Sequence, residues 1–146
     1  MEELNLKGKV VGLDTMVFIY HFEENQIYSP LTFSIFDSLE KGNFNAVTSI
    51  LTLLEILVKP KRENNSILTE RYKILFETFP NLQMKTLDEN IADIASSLRV
   101  NYNINTPDAI QVATSLEVQA DVFITNDASL KKITEIKVLL LSDMLK

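Results

Sequence analysis

The segment KVVGLDT at residues 9–15 sets an acidic residue directly behind a compact apolar run. The run Lys9–Leu13 has the composition of a strand that is buried on both faces of a sheet. Asp14 follows it at once. The segment therefore predicts a buried first strand with a charged group at its carboxyl end.

Four further strands and several helices are predicted downstream. The strands fall near Asn45–Thr48, Leu82–Leu87, Asp121–Thr125 and Lys137–Leu141. Apolar residues at helical spacing predict helices at Ser29–Lys41, Ile50–Val58, Ser66–Phe79, Asp88–Val100 and Thr106–Val118, with a short helix from Ala128 between the last two strands. Strands that alternate with helices predict βαβ units and a mostly parallel sheet covered on both faces.

Local signals mark where some of these helices begin and end. Pro60 is expected to close the helix Ile50–Val58. The pattern Thr86-x-x-Glu89 resembles a capping box at the start of a later helix. Thr106 as N-cap and Pro107 as the first helical residue give a strong start signal for the next one.

The composition limits the class of protein. The chain has 146 residues, of which 46% are apolar, so one domain over residues 1–146 with a substantial core is expected. The absence of Cys excludes disulfides, zinc–thiolate sites and cysteine nucleophiles. No apolar run approaches the roughly 20 residues that span a bilayer, and the opening MEELNLKGKV lacks the basic and apolar regions of a signal peptide. We therefore expect a cytoplasmic protein without a membrane partner.

The charge balance is acidic, with 20 Asp and Glu against 14 Lys and Arg. Proteins that bind nucleic acids usually carry a basic surface, so this balance on its face disfavours that class. Four of the acids, however, fall where a cation site is expected. Without those four, 16 acids face 14 bases, a balance of −2, and acidity alone decides little.

These four acids share a position near the carboxyl edge of the predicted sheet. Asp14 comes directly after the first strand, and Asp127 comes two residues after the fourth. In sheets of this kind ligands bind outside the carboxyl ends of the strands. Asp108 lies in the first turn of a predicted helix, and Glu55 interrupts the otherwise apolar helix Ile50–Val58.

A divalent cation would explain why these acids converge. Carboxylates without cationic neighbours repel one another, and Mg²⁺ or Mn²⁺ suits an all-oxygen ligand set better than zinc does. Each acid also has an ordinary explanation: helix capping for the two that follow strands, the helix dipole for the one in a first turn, and solvent exposure for Glu55. One acid alone does not decide between these readings. The joint placement of four favours a metal site.

Four segments resemble, in order, the motifs of the PIN-domain family. They are VVGLDTMVFI (10–19), SILTLLEIL (49–57), TPDAIQVATS (106–115) and ADVFITNDASLK (120–131). The resemblance runs from about residue 9 to residue 141. It implies an α/β fold, a Rossmann-like three-layer α/β/α sandwich with a mostly parallel sheet of about five strands. It also implies metal-dependent cleavage of RNA.

The resemblance assigns roles residue by residue. The catalytic and metal-binding positions are those of Asp14, Glu55, Asp108 and Asp127. The positions that support the ligands or contact phosphate are those of Thr15, Thr125 and Asn126. The chain's size resembles that of the small VapC-type toxins of bacterial and archaeal toxin–antitoxin pairs. This implies an RNA substrate, a Mg²⁺ or Mn²⁺ cofactor, a homodimer and a cognate antitoxin partner.

Position 16 departs from the family pattern and keeps other functions open. Met16 stands where the family usually has Asn or Ser, which removes a possible hydrogen bond near the metal. A non-catalytic PIN-like binding or scaffold module is therefore the alternative. Phosphatase-like and receiver-like domains also place Asp after a first strand, but the former expect a second Asp at position 16. The latter expect acids directly before Asp14, where Gly12 and Leu13 stand.

Two further segments have competing explanations. Lys59, Lys61 and Arg62 lie just past the Glu55 helix and either guide RNA phosphates or form a solvated loop. The aromatic-rich segments Phe18–Phe36 and Ser66–Phe79 are expected in the core, with a groove for a partner as the alternative.

Overall fold

The strand that begins at Val10 is the middle strand of a five-stranded sheet. The computed structural model describes residues 5–145; residues 1–4 and residue 146, part of the predicted domain 1–146, lie outside the described residues. The strands are β1 (Val10–Leu13), β2 (Asn45–Ser49), β3 (Leu82–Lys85), β4 (Val122–Thr125) and β5 (Lys137–Leu140). Their order across the sheet is β3-β2-β1-β4-β5, with neighbours paired in parallel. The predicted parallel α/β sheet is confirmed.

Helices connect these strands, as the alternating pattern predicted. They are α1 (Thr15–Phe22), α2 (Ser29–Glu40), α3 (Ile50–Arg62), α4 (Ser66–Thr78), α5 (Glu89–Tyr102), α6 (Thr106–Glu117) and α7 (Leu141–Met144). A short 3-10 helix (Ala128–Lys132) stands between β4 and β5. Within residues 5–145, no helix is both long enough and apolar enough to cross a bilayer.

Both faces of the sheet are covered by helices. Because successive residues of a strand point to opposite faces, β4 contributes Val122 and Ile124 to one apolar cluster and Phe123 to another. The first cluster also contains residues of α1 to α4, and the second contains residues of α5 and α6. The sheet therefore lies between two helical layers, which is the predicted three-layer sandwich.

Aromatic side chains of α1, α2 and α4 build much of the first cluster. Phe18 is 1% exposed, and its ring centroid lies 5.2 Å from that of Phe36 and 5.1 Å from that of Phe76. Phe22 stacks on Tyr72 with a centroid distance of 4.8 Å. Such pairs contribute about 0.5–1.5 kcal/mol each beyond the area they bury. These side chains thus serve the core, the first of the two explanations for the aromatic segments.

The C-terminal end of α3 differs from the prediction. Proline was expected to close this helix after Val58, but the helix continues through Pro60 to Arg62. Pro60 is buried. Packing of its ring therefore offsets the backbone hydrogen bond that proline cannot donate.

Two helix starts also differ from the local signals in the sequence. The N-cap of α6 is Asn105 rather than Thr106, because its Oδ1 accepts a hydrogen bond from the Asp108 backbone N–H at 2.8 Å. Asp88 caps α5 in the same way, accepting from the Ile91 N–H at 2.8 Å, in place of the predicted Thr-x-x-Glu box. In both cases the side-chain oxygen of a short residue, Asn or Asp, accepts a backbone N–H at the start of the helix.

Gly12 allows α6 to lie directly on β1. A Cβ atom at this position would stand 1.9 Å from the Ser115 Oγ and 2.9 Å from the Ser115 Cβ. Both distances are far inside the roughly 3.5–4.0 Å of favourable contact between carbon atoms. α6 carries Asp108, and β1 leads into Asp14. The close contact between Gly12 and α6 therefore sets the distance between the two elements that carry these acids.

Candidate metal centre

A pocket of about 420 Å³ opens at the carboxyl edge of the sheet. Its walls contain all the residues predicted for the site, which are Asp14, Glu55, Asp108, Asp127, Thr15, Thr125 and Asn126. Met16, Tyr20 and Gln111 also line it. The fold therefore brings the predicted residues to one place, while their roles in metal binding stay predictions.

Asp14 is fixed from both of its carboxylate oxygens. It follows β1, and its backbone N–H donates to the Ile124 carbonyl at 3.0 Å, so its place at the sheet edge is set by strand pairing. Its Oδ1 accepts from the Thr15 N–H at 2.8 Å, which caps α1, and its Oδ2 accepts from the Thr125 hydroxyl at 2.7 Å. The Asp14 side chain therefore both caps α1 and lines the pocket.

Burial is the main influence on the protonation of Asp14, which is only 9% exposed. Burial raises the pKa of this carboxyl above its ordinary value, and the negative charge of Asp127 raises it further. Hydrogen bonds from Thr125 and Thr15 lower the pKa in part. The ionised form is thus favoured by its hydrogen bonds and disfavoured by its surroundings.

Glu55 reaches the same pocket from α3. Glu55 is exposed as a residue, as its ordinary explanation at a solvent-facing helix edge requires. Its Oε1 nevertheless accepts from the Thr15 hydroxyl at 3.0 Å. Desolvation raises the pKa of its carboxyl, as does the nearby charge of Asp14, while the Thr15 bond lowers it.

Asp108 and Asp127 are neighbouring carboxyl groups in the pocket. Asp108 stands in the first turn of α6. Burial, then the charges of Asp14 and Asp127, raise the pKa of Asp108 to about 6. Asp127 caps the 3-10 helix, where its Oδ1 accepts from the Ser129 N–H at 2.9 Å and from the Ser129 hydroxyl at 2.7 Å.

The electrostatics of the pocket favour a cation. Four carboxylates face it, and among its described lining residues there is no Lys, Arg or His. Burial raises the pKa values of Asp14, Glu55 and Asp108, and the charges of neighbouring acids raise them further. Within residues 5–145, however, no three acidic or His side chains are already grouped as metal ligands. The carboxylates of Asp14, Glu55 and Asp127 are instead held by neighbouring hydrogen-bond donors.

The predicted supporting residues divide into two kinds. Thr15 and Thr125 both donate hydroxyl hydrogen bonds to site carboxylates. Asn126 bonds away from the acids: its Nδ2 donates to the Tyr20 hydroxyl at 3.2 Å, and its Oδ1 accepts from the Ser142 N–H at 3.1 Å. Asn126 thus anchors Tyr20 in the pocket wall.

The sequence interpretation missed a group of buried polar residues behind the acids. Gln111 Nε2 donates to the hydroxyls of Thr52 at 2.8 Å and Thr15 at 3.1 Å, and Thr52 contacts Thr48 at 2.7 Å. A signal for two of them was available: Thr52 precedes Glu55 by three residues, so both lie on one helical face. Gln111 follows Asp108 by the same interval.

Met16, the departure from the family pattern, lies at the mouth of the pocket. It lines the pocket and is 36% exposed. A thioether can accept only weak hydrogen bonds, so this part of the wall lacks the polar group that Asn or Ser would supply.

Comparisons with known proteins identify relatives of this fold. A family model described as PIN domain matches residues 11–136. A toxin–antitoxin complex from Klebsiella pneumoniae contains a chain that is 20% identical, with a TM-score of 0.68 over 90% of this chain and 97% of that chain.

Two further solved structures are similar. VapBC2 from Rickettsia felis, bound to a DNA fragment from its promoter, is 14% identical with a TM-score of 0.70, over 90% of this chain and 98% of that one. VapBC-1 from nontypeable Haemophilus influenzae is 19% identical with a TM-score of 0.68, over 91% and 98%. At these identities the similarity establishes the fold. No curated protein sequence matches the chain.

Proposed function

The chain belongs to the PIN-domain family, and we propose that it is a metal-dependent endoribonuclease that serves as the toxin of a toxin–antitoxin pair. The observation that carries the proposal is the pocket itself, with four carboxylates and no basic residue among its described lining residues. The names of the structural neighbours, which are toxin–antitoxin complexes, support the biological setting. An RNA substrate in this setting places the protein in the cytoplasm.

The donor set fits Mg²⁺ or Mn²⁺. Hard divalent cations prefer carboxylate oxygens, and the pocket offers four carboxylates: Asp14, Glu55, Asp108 and Asp127. Burial and, to a smaller extent, the charges of neighbouring acids raise the pKa values of Asp14, Glu55 and Asp108, and a bound cation would relieve that repulsion. Bound there, the ion supplies Lewis-acid activation of water and neutralises charge at the scissile phosphate.

The chain's own residues orient the acids. Thr125 and Thr15 hold the two oxygens of Asp14, which fixes the carboxylate in one rotamer. The Thr15 hydroxyl also holds Glu55, so one residue spans two of the acids. With a pKa of about 6, Asp108 is mostly ionised at neutral pH and adds to the negative charge of the pocket.

RNA cleavage with and without metal tests this proposal. The purified protein is incubated with structured and unstructured RNAs in Mg²⁺, Mn²⁺ or EDTA, alongside Asp14→Asn. Asp37→Asn is the matched control, because Asp37 is a partly exposed acid paired with Lys41 on α2. We expect metal-dependent cleavage by the wild type and the control, and loss of cleavage in Asp14→Asn. Near-normal turnover by Asp14→Asn would contradict the assignment.

A non-catalytic binding module is the second candidate. Two observations favour it: Met16 removes a polar group from the pocket, and no three acids within residues 5–145 are pre-grouped as ligands. Calorimetric titration with Mn²⁺ separates the candidates. A protein that neither binds the ion nor cleaves RNA would be the module, whereas binding without cleavage of the pool would indicate a selective nuclease.

Assembly with a second copy of this chain and with an antitoxin is part of the same proposal. Support for the homodimer comes from an apolar groove of about 550 Å³ beside α3, whose exposed members include Leu54, Val58 and Leu87. Exposed apolar surface of this kind usually marks a partner. Lys61 is the one charged residue among the described residues that line the groove, so the groove can face its own copy without strong repulsion. Light scattering should give about twice the 16.6 kDa chain mass. Leu54→Glu should restore the monomer, and a monomeric wild type would refute the dimer.

A further inference from the structure

A chain of hydrogen bonds leads from α6 to the Glu55 carboxylate. It starts at Gln111, which is 3% exposed and lies three residues after Asp108 on α6. The Gln111 Nε2 donates to the Thr52 hydroxyl at 2.8 Å and to the Thr15 hydroxyl at 3.1 Å. Thr15 in turn donates to the Glu55 Oε1 at 3.0 Å. The three helices α6, α3 and α1 are thus linked through polar atoms.

The direction of each bond follows from counting protons, since a hydroxyl has only one to donate. Thr48 donates its proton to the Leu13 carbonyl at 2.8 Å. In the 2.7 Å contact between Thr48 and Thr52, Thr52 is therefore the donor. It has no second proton for Thr15, which lies 3.1 Å away. The Thr15 proton then goes to Glu55, because a charged acceptor makes the stronger bond.

The amide of Gln111 is oriented by the same partners. Its Oε1 is buried and has no hydrogen-bond partner among the described residues. The reverse orientation would leave two buried N–H donors unpaired instead of one acceptor, and it would offer the Thr15 proton a competing acceptor. The orientation with the unpaired Oε1 is therefore the one that keeps the Thr15 proton on Glu55.

We propose that Gln111 is a positioning residue for Glu55: its two amide donors hold Thr15 and Thr52 so that the Thr15 hydroxyl points to the Glu55 carboxylate. The Thr15 bond is the only hydrogen bond that the described residues donate to Glu55, whose side chain otherwise extends from an exposed position of α3. Without Gln111, the Thr52 oxygen loses its amide donor and becomes an acceptor for the Thr15 proton in competition with Glu55. The consequence for metal binding rests on the proposed function; the orientation of Thr15 does not.

Gln111→Met tests the orientation in the metal-free protein. Methionine keeps the length of the side chain but has no donor. In the wild type we expect the Thr15 hydroxyl proton to give a slowly exchanging NMR signal, and in Gln111→Met we expect that signal to disappear. Thr114→Val is the matched control, because it removes another buried hydroxyl of α6 that donates only to the Ile110 carbonyl. A Thr15 signal that persists in Gln111→Met would overturn the proposal.

A double-mutant cycle with Glu55→Gln tests the route of the effect. Gln111→Met should weaken Mn²⁺ binding, measured by calorimetry, by about 10- to 100-fold, the usual effect of losing a group that orients a ligand. In the Glu55→Gln background the same substitution should change the affinity less than about twofold, because the group it acts through is absent. Equal losses in both backgrounds would show a merely structural role and overturn the proposal.

Substitutions at Thr15 keep the proposal testable if Gln111→Met fails to fold, as judged by circular dichroism. Thr15→Val should weaken Mn²⁺ binding as much as Gln111→Met is expected to, and Thr15→Ser should restore it; a Thr15→Val protein with unchanged affinity would contradict the proposal. A wild type that binds no Mn²⁺ and cleaves no RNA would refute the proposed function. The Thr15 hydroxyl signal would still decide the role of Gln111 in that case.

Discussion

The two halves of the acidic pocket are built in different ways. The half that we call inner is named for its buried hydroxyl donors, Thr15 and Thr125. There Glu55 and one oxygen of Asp14 accept hydrogen bonds from residues far away in the sequence, as in the bond from Thr125 to Asp14 across 111 positions. In the outer half, Asp108 and Asp127 sit at the starts of helical segments. There Asp127 accepts from a residue only two positions ahead.

This difference separates a part of the site that depends on the whole fold from a part that forms locally. The inner bonds need the sheet and the helical layer of α1 to α4 in place, because their donors come from α1 and β4. The outer bonds need only a cap. We therefore expect the inner half to be the fixed anchor for an ion, and the outer half to adjust to it.

The largest expected effect is on the inner anchor. Thr125→Val removes the hydroxyl that donates to Asp14 and should weaken Mn²⁺ binding and cleavage by about 10- to 100-fold. Ser129→Ala removes the matching hydroxyl bond to Asp127 in the outer half and should cost less than about threefold, because the Ser129 N–H still caps. Thr125→Ser serves as the rescue variant. Equal losses of Mn²⁺ binding and cleavage in Thr125→Val and Ser129→Ala would show that the two halves do not differ in this way.

Asp108, in the outer half, should make the free energy of unfolding of the metal-free protein depend on pH. Its pKa of about 6 in the folded protein lies above the ordinary 3.8, so between these values the folded state binds more protons than the unfolded chain. The free energy of unfolding of the metal-free protein therefore falls as pH rises through this window. Melting temperatures should drop by a few degrees more in the wild type than in Asp108→Asn between pH 4.5 and 7. Mn²⁺ at pH 7 should reverse the drop, and identical pH profiles would exclude Asp108 as its source.

Met16 tests whether the mouth of the pocket limits activity. Met16→Asn restores a polar side chain at a position that lines the pocket. One added hydrogen bond contributes about 0.5–1.5 kcal/mol, so cleavage should rise by roughly two- to tenfold. Met16→Leu is the control for packing. A rise in both variants would trace the effect to size rather than to polarity.

The smallest effect concerns the basic end of α3. Lys59 already pairs with Glu23 at 2.5 Å, which leaves Lys61 and Arg62 as the better candidates for phosphate contacts. Lys61→Gln with Arg62→Gln should weaken RNA binding a few-fold and reduce its salt dependence by about 0.7 in log–log slope per lost contact. Lys59→Gln should change less. An unaltered salt slope would assign these side chains to solvent.

The sequence predicted the parts of the site that local rules determine. Asp14 and Asp127 were located because an acid directly behind a buried strand belongs at the carboxyl edge of a parallel sheet, and the strand order confirms that β1 and β4 are neighbours. Glu55 was noticed as an acid in an otherwise apolar helix and Asp108 as an acid in a first helical turn. The family resemblance then assigned both to the site, and the family is confirmed. Whether these acids hold a metal stays a prediction.

The parts that were missed depend on contacts between distant segments. Thr48 looks like an ordinary strand residue, and only the approach of α6 brings Gln111 to Thr52, which in turn contacts Thr48. Pro60 shows the same limit, because a local rule for ending a helix was overruled by burial in the folded protein. Contacts between distant segments cannot be predicted from the spacing of residues within one segment.

Gly12 and Ser115 lie so close together that no side-chain atom fits between them. This contact limits which residues relatives of the chain can have at these two positions. A methyl group at position 12 would overlap the Ser115 side chain, so it fits only where position 115 has itself lost bulk. The two sites should therefore covary across homologues. A lineage that enlarged either one alone would tilt α6 away from β1 and separate Asp108 from Asp14. Such a protein would keep every acidic motif in its sequence and still lose the pocket.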